Sequence, residues 1–461
     1  MKKKQLRWTL WTIASPFILF IILCILIYLP PIQNFLVDKA AVYASEATGM
    51  NISVGRISLS FPLNLVVTDV DAASPHKDTL LSVRRLQVNV QLLPLLKKQV
   101  EVDGISLQGA TVNSNDLIHG MRLNGTLGEL FISSHGVALD PETAIVNKVL
   151  LKDTDLSLCL NDTAAADTAA SDTTYWKIIL QDIDLQNVSF ALDMPLDSLS
   201  LAASLDNATL RDGLIDLHKS AYSLQTFRIK NGRVRYDSGR PSATASADSL
   251  SAGLDPSHIA LTDIGVKLDS LYYEGRNMKA IISQFVLKER SGVEIFSTEG
   301  RLVSNDKVLR VPSLKLETRD SYLELNAAMD WDALDFKKEG LVSARLMADI
   351  GKPDVVRFMG SMDEKFIRKY PSEPLRIRTG IDGDLNKLKL TTLTAELPGA
   401  LELFAKGELT SLTDSLLRGG DITLQAETKD LKFISTLAEG IEIPYGTRLE
   451  GKFTMARPKM G

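Results

Sequence analysis

Metal binding or proton transfer in this 461-residue chain would fall first to its five histidines, His76, His119, His135, His218 and His258. No two of them stand at HxxxH or HExxH spacing, so no helix face presents an imidazole pair to an ion. The two cysteines, Cys24 inside an apolar run and Cys159 alone, exclude a disulfide framework and a Cys-rich zinc site. Nucleophilic chemistry is no better served. SPHK (74–77) and SNDK (304–307) have Ser–Lys spacing without the companion elements of a Ser–Lys acylase. GISLQG (104–109) is one residue too long for a GxSxG elbow, and no GxxxxGK[ST] phosphate loop occurs. Asp182 and Asp184 alternate with apolar residues, which puts them on the solvated face of a strand rather than across a cleft. The chain reads as a non-enzyme with no cofactor and no metal.

What recurs instead is apolar alternation. In LSVRRLQVNVQL, Val83, Leu86, Val88, Val90 and Leu92 are apolar, and Gln87, Asn89 and Gln91 alternate between the last four. Such a strand has one dry face and one wet face. A shorter template repeats in ISVGRISL (52–59), ISLQGATV (105–112), VLLKDTDL (149–156), IDLQNVSF (183–190) and FRIKNGRV (227–234). Two in-phase apolar residues, a polar corner and a resumed dry face describe a strand that crosses a bulge or a tight corner. The spacings of 53, 44, 34 and 44 residues point to a repeated unit of several strands without strict length.

Few helices interrupt this pattern. LLPLLKK near residues 92–98 reads as a short helical turn or a crossover. DVVRFMGSMDEKFIRKY (354–370) puts Val355, Phe358, Met359, Met362, Phe366 and Ile367 on one helical face, and DLKFISTL (430–437) reads as a short helix. NDTAAADTAASDTT (161–174) has nothing to bury and reads as a disordered loop, with Ser238–Ser249 a second loop candidate.

The chain is 45% hydrophobic and 24% charged, too apolar for a disordered protein and too charged for a polytopic membrane protein. Lys+Arg 52 against Asp+Glu 57 gives a net charge of -5, which leaves no basic excess for a nucleic acid. The N-terminus is the exception in hydropathy. Trp8–Leu29 is 22 residues without a charge, a helix of roughly 33 Å that spans a hydrocarbon core of about 30 Å. Trp8, Trp11, Phe17, Phe20 and Leu29 are its expected anchor residues. Lys2, Lys3, Lys4 and Arg7 precede it, so the positive-inside rule keeps the basic end cytoplasmic and sends the rest across. A cleaved signal peptide is the alternative, but its apolar region would be about 7–15 residues and Pro30-Pro31 follows here. Residues 32–49 carry helical spacing with Gly49 as the stop, expected to pack on the protein or to lie on headgroups. The expected organisation is a tail and anchor (1–31), an amphipathic capping helix (32–49), an N-terminal β region (50–160), the polar loop (161–174) and a continuing β region (175–461).

A long one-face-dry sheet must bury its dry face against a second sheet, against helices or around an apolar guest. Few helices and a low aromatic content favour a mostly β fold, a folded-over antiparallel sheet with an apolar groove, and acyl chains are the natural guests of a membrane-tethered protein. At about 12–14 residues per strand and turn, residues 50–461 make roughly 30 strands, a stack on the order of 140 Å. Expected groove residues are Ile52, Val54, Ile57, Leu59, Leu86, Val88, Val90, Val100, Val102, Ile105, Leu107, Ile183 and Leu185. Alternation alone also fits an ordinary closed β core.

GMNISVGRISLSFPLNLVVTDVDAASPHKDTLLSVRRLQVNVQLLPLLKKQVEVDGISLQGATV (49–112) resembles the N-terminal block of the AsmA-like superfamily. The shared features map onto Ile52–Ile57, Leu65–Val70 and Val88–Val112. HIALTDIGVKLDSLYYEG (258–275) and YPSEPLRIRTGIDGDLNKLKL (370–390) look most like its long TamB-type branch. The resemblance implies a β-taco, a U-shaped sheet with a hydrophobic groove, anchored in the inner membrane and crossing the periplasm. It implies phospholipid movement between inner and outer membranes, a role in outer-membrane biogenesis, and contact with an outer-membrane BamA/TamA-type barrel through a C-terminal region. KFTMARPKMG ends inside continuing strand pattern without that region, so the chain is expected to be a fragment or a truncated product. Two other readings stay open: an assembly factor that templates outer-membrane β-barrels by strand addition, and a tethered repeat protein without cargo.

Overall fold

The computed structural model describes residues 39, 41–42, 45–46, 49–60, 64–74, 79–91, 102–114, 120–138, 142–161, 175–239, 253–335, 338, 340–358, 364–384, 386–412, 419–434 and 444–455. The expected anchor at 8–29, the LLPLLKK segment, most of the polar loop at 161–174 and most of the loop candidate at 238–249 lie outside them. Among the described residues no helix is long and apolar enough to cross a membrane.

The fold is mostly β and divides after Leu196 into two units. The first holds β1 (Asn51–Ser60), β2 (Asn64–Ala73), β3 (Thr79–Val90), β4 (Val102–Asn113), β5 (Met121–Ala138), β6 (Thr143–Leu160) and β7 (Lys177–Met194). Each pairs with the next in chain order. β6 and β7 run parallel, the other pairs antiparallel, which corrects the expectation of a wholly antiparallel order. A hairpin turn cannot join parallel neighbours; the stretch between Leu160 and Lys177, where the polar loop was expected, is the long connection that such a pairing requires.

The strands are also longer than expected, 18 residues each in β5, β6 and β7. The reason is the polar corner, which reads in sequence as a turn but leaves the strand intact. In the register, Gly55, Asp69, Arg84, Gly109, Gly128, Asp153 and Asn187 fall at one height across β1 to β7. Each is the one extra residue that shifts the alternation, so apolar side chains on both sides of it meet the same face. Asp69, Gly109, Asp153 and Asn187 take positive φ of 54°, 62°, 49° and 52°. These are the four strands that run in one direction. Where the neighbour across the pair is glycine there is no room for a second side chain: a Cβ on Gly55 would stand 2.9 Å from the Asp69 Cβ, and one on Gly128 2.8 Å from the Asp153 Cβ.

The helical stop expected at Gly49 is present. Lys39, Ala41, Val42, Ser45 and Glu46 are helical, Gly49 has φ +68° and its N–H donates to the Ser45 carbonyl at 2.9 Å. The Ile52 N–H donates to Ser45 Oγ at 3.0 Å and ties this stop to β1.

The second unit holds β8 (Leu199–Asp216), β9 (Ala221–Leu224), β10 (Thr226–Ser238), β11 (His258–Glu274), β12 (Asn277–Glu289), β13 (Glu294–Ser304), β14 (Val308–Thr318), β15 (Ser321–Asp330), β16 (Val342–Ile350), helix α1 (Lys352–Phe358), helix α2 (Glu364–Lys369), β17 (Leu375–Gly383), β18 (Lys387–Leu397), β19 (Leu401–Thr410), β20 (Gly419–Thr428) and β21 (Arg448–Met455). β8 pairs with β9 and β10, both pair with β11, and from β11 to β21 each strand pairs antiparallel with the next. The FRIKNGRV corner repeats the device of the first unit: Asn231 has φ 52° and donates to the Asp206 carboxylate.

Candidate apolar binding face

Cross-strand pairs put the expected groove residues into rows on one face. Leu59, Leu65, Val88, Ile105, Ile132, Val149 and Ile183 form one row across β1 to β7. Ile57, Val67, Leu86, Leu107, Leu130, Leu151 and Leu185 form the next. Beyond the corner, Val54 continues through Val70, Val83, Ala110 and Leu127, and Ile52 through Ala72, Leu81 and Val112. From Ile52 to Leu59 the band measures roughly 23 Å along the strand. Val90 and Val102 pair at its margin past a bulge, and Val100 lies outside the described residues.

Most of these side chains are half-buried, while Val83 and Ala72 beyond the corner are buried and Leu81 is exposed. Ile52, Val54, Ile57, Leu59, Leu86, Val88, Val90, Val102, Ile105, Leu107, Ile183 and Leu185 all keep part of their surface open. The opposite face of the same strands carries Arg56, Thr68, Arg85, Gln108, Glu129, Lys152 and Gln186 in a polar row. It is laced by side-chain bonds such as Arg85 Nη2 to Gln87 Oε1 at 3.2 Å. Asp182 and Asp184 stand on this face opposite Lys148 and Leu150, where the alternation put them.

The second unit builds the same two-faced arrangement. Leu314, Leu325, Leu346, Thr379, Leu393, Ala405 and Leu424 make one row from β14 to β20. Leu316, Leu323, Ala348, Ile377, Ala395, Leu403, Ala426 and Leu449 make another that reaches β21. Arg378–Asp349 at 2.7 Å and Lys429–Glu402 at 3.0 Å are among the ion pairs of the other face. Arg378 is held above its ordinary pKa by its hydrogen bond to Asp349.

No protein-family model and no curated protein matches this chain. The face therefore has to be read from its own chemistry. Repeated Leu, Ile and Val rows offer dispersion contacts and water exclusion without a directional polar group, which suits flexible hydrocarbon. Each methylene buried against such a surface contributes about 0.8 kcal/mol.

Two of the groups singled out for other chemistry serve turns. Among the described residues no cluster of three His, Cys, Asp or Glu could hold a metal ion. His258 Nδ1 lies 2.9 Å from Asp255, whose carboxyl is lowered by that bond and by the Ser257 N–H, in the turn that starts β11. In the SNDK string Ser304 Oγ accepts from Trp331 Nε1 at 3.2 Å and serves the β13–β14 turn.

One cluster escaped the sequence reading. Asp354, 1% exposed in the first turn of α1, accepts from Thr318 Oγ1, from Ser321 Oγ at 2.6 Å and from Arg357 Nη1 at 2.9 Å. Arg357 also donates to Asp320 at 3.0 Å, so α1 is pinned to the β14–β15 turn. Its signal in sequence is the Gly351-Lys352-Pro353-Asp354 helix start, but nothing there reports burial. The single helical face expected over 354–370 is not continuous: Phe358 is exposed, whereas Phe366 on α2 is buried.

Proposed function

We propose that this chain is a non-enzymatic, inner-membrane-anchored periplasmic protein of AsmA-like, TamB type. Its apolar sheet face holds phospholipid acyl chains on their way between inner and outer membranes, in support of outer-membrane biogenesis. The observation that carries this reading is the pair of Leu, Ile and Val rows across β1–β7, from Leu59 to Ile183 and from Ile57 to Leu185, whose side chains stay half-buried. A closed β core of this composition would bury such residues fully. The basic, then uncharged, N-terminal segment supports a single-pass anchor with a cytoplasmic N-terminus. The β-taco geometry and the partnership with a BamA/TamA-type barrel rest on the resemblance of residues 49–112 and the later blocks.

The test is lipid occupancy of the purified full chain. Wild-type protein should co-purify with phospholipid, and Leu107→Asp or Val88→Asp should lower the bound amount at least about tenfold while the strand signal in circular dichroism persists, because a carboxylate in that row must be desolvated to admit hydrocarbon. Folded variants with wild-type lipid content would count against the face as the site. A folded wild-type chain free of lipid would move strand templating ahead.

A further inference from the structure

Over most of the second unit the apolar face is half-buried, but at one margin the chain covers it with its own side chains. Leu375, Leu397 and Leu401 end the rows of β17, β18 and β19 there, and Phe366 and Tyr370 pack on them together with Leu431 and Phe433. The rings are in edge contact: Phe366–Phe433 centroids lie 5.8 Å apart and Tyr370–Phe433 5.2 Å. Phe366 is 2% exposed and Leu397 3%, whereas Leu393 and Leu390 on the same strand stay half-buried. The cap is held at its base by the Asp354–Arg357 network on the β14–β15 turn and by Lys352 Nζ, which donates to the Tyr370 carbonyl at 2.7 Å.

We infer that the Phe366–Tyr370–Phe433 cap is an acyl stop: it ends the hydrocarbon-accepting stretch of β17–β19 and sets the chain length that fits there. This rests on the acyl-binding reading and adds to it the residues that select among lipids. The cap occupies the same row positions that a longer chain would cover, so chain and cap exclude each other. Removing a ring lengthens the apolar track by the space of the ring, and each further buried methylene is worth about fourfold in affinity.

The experiment offers the purified full chain equal amounts of phosphatidylethanolamine with shorter and with longer saturated acyl chains, and quantifies the bound lipid by mass spectrometry. Phe366→Ala should raise the long-to-short ratio about fourfold or more over wild type. Phe433, at the edge of the cluster with 8% exposure, gives Phe433→Ala as a second variant, and a thermal melt establishes which of the two is folded. A folded variant with the wild-type ratio overturns the acyl stop even though lipid binds. Wild-type protein that takes up neither lipid overturns the acyl reading itself.

Discussion

Asn187 shows what a single residue does in this sheet. It sits at φ 52° in β7, and its side-chain amide donates to Asp153 Oδ1 at 2.9 Å, one corner residue bonded to the next across the parallel pair. Asn and Asp tolerate the left-handed region because their short polar side chains bond locally, while other L-residues are strained there by about 1–2 kcal/mol. Asn187→Ala should therefore destabilise the first unit by about 1 kcal/mol in denaturant unfolding, and Asn187→Gly by less, since glycine adopts positive φ freely. Tyr370 gives a pH signature. Burial in the cap pushes its phenol above the ordinary value of 10.0. The folded state thus keeps a proton that the unfolded state releases, so this contribution is complete below the ordinary phenol pKa and is lost as pH rises through the raised one. Wild-type stability should fall over that alkaline range, and Tyr370→Phe should flatten the fall.

At the scale of elements, α1 depends on a buried carboxylate. Asp354→Ala removes the acceptor for Thr318, Ser321 and Arg357 and should cost about 2–3 kcal/mol, with faster amide exchange at the β14–β15 turn. The strands were legible in sequence because one face is wet: Gln87, Asn89 and Gln91 mark the alternation beside Val88 and Val90. The corner was legible because glycine, Asp and Asn are the residues that positive φ admits. Its consequence was not, since a polar corner and a chain-reversing turn have the same composition, and the strands came out longer. The parallel β6–β7 pair was hidden for a different reason: partner and direction are set by contacts far apart in sequence, and period-2 alternation reads the same in either direction. Asp354 was hidden because residue type argues for the surface, and only its partners make burial tolerable.

For the whole molecule, each unit presents ordered apolar rows on one face and hydrogen-bonded polar side chains on the other. The proposed conduit needs only that asymmetry. A photo-crosslinking amino acid placed in the full-length chain in cells tests it most directly. Leu107 and Leu151 lie in one apolar row, while Phe131 and Leu150 are equally apolar but face the other way on β5 and β6. Lipid-mass adducts at 107 and 151, with none at 131 and 150, are the expected result. Equal labelling of both faces, or adducts at none of the four positions in a folded protein, would contradict the account.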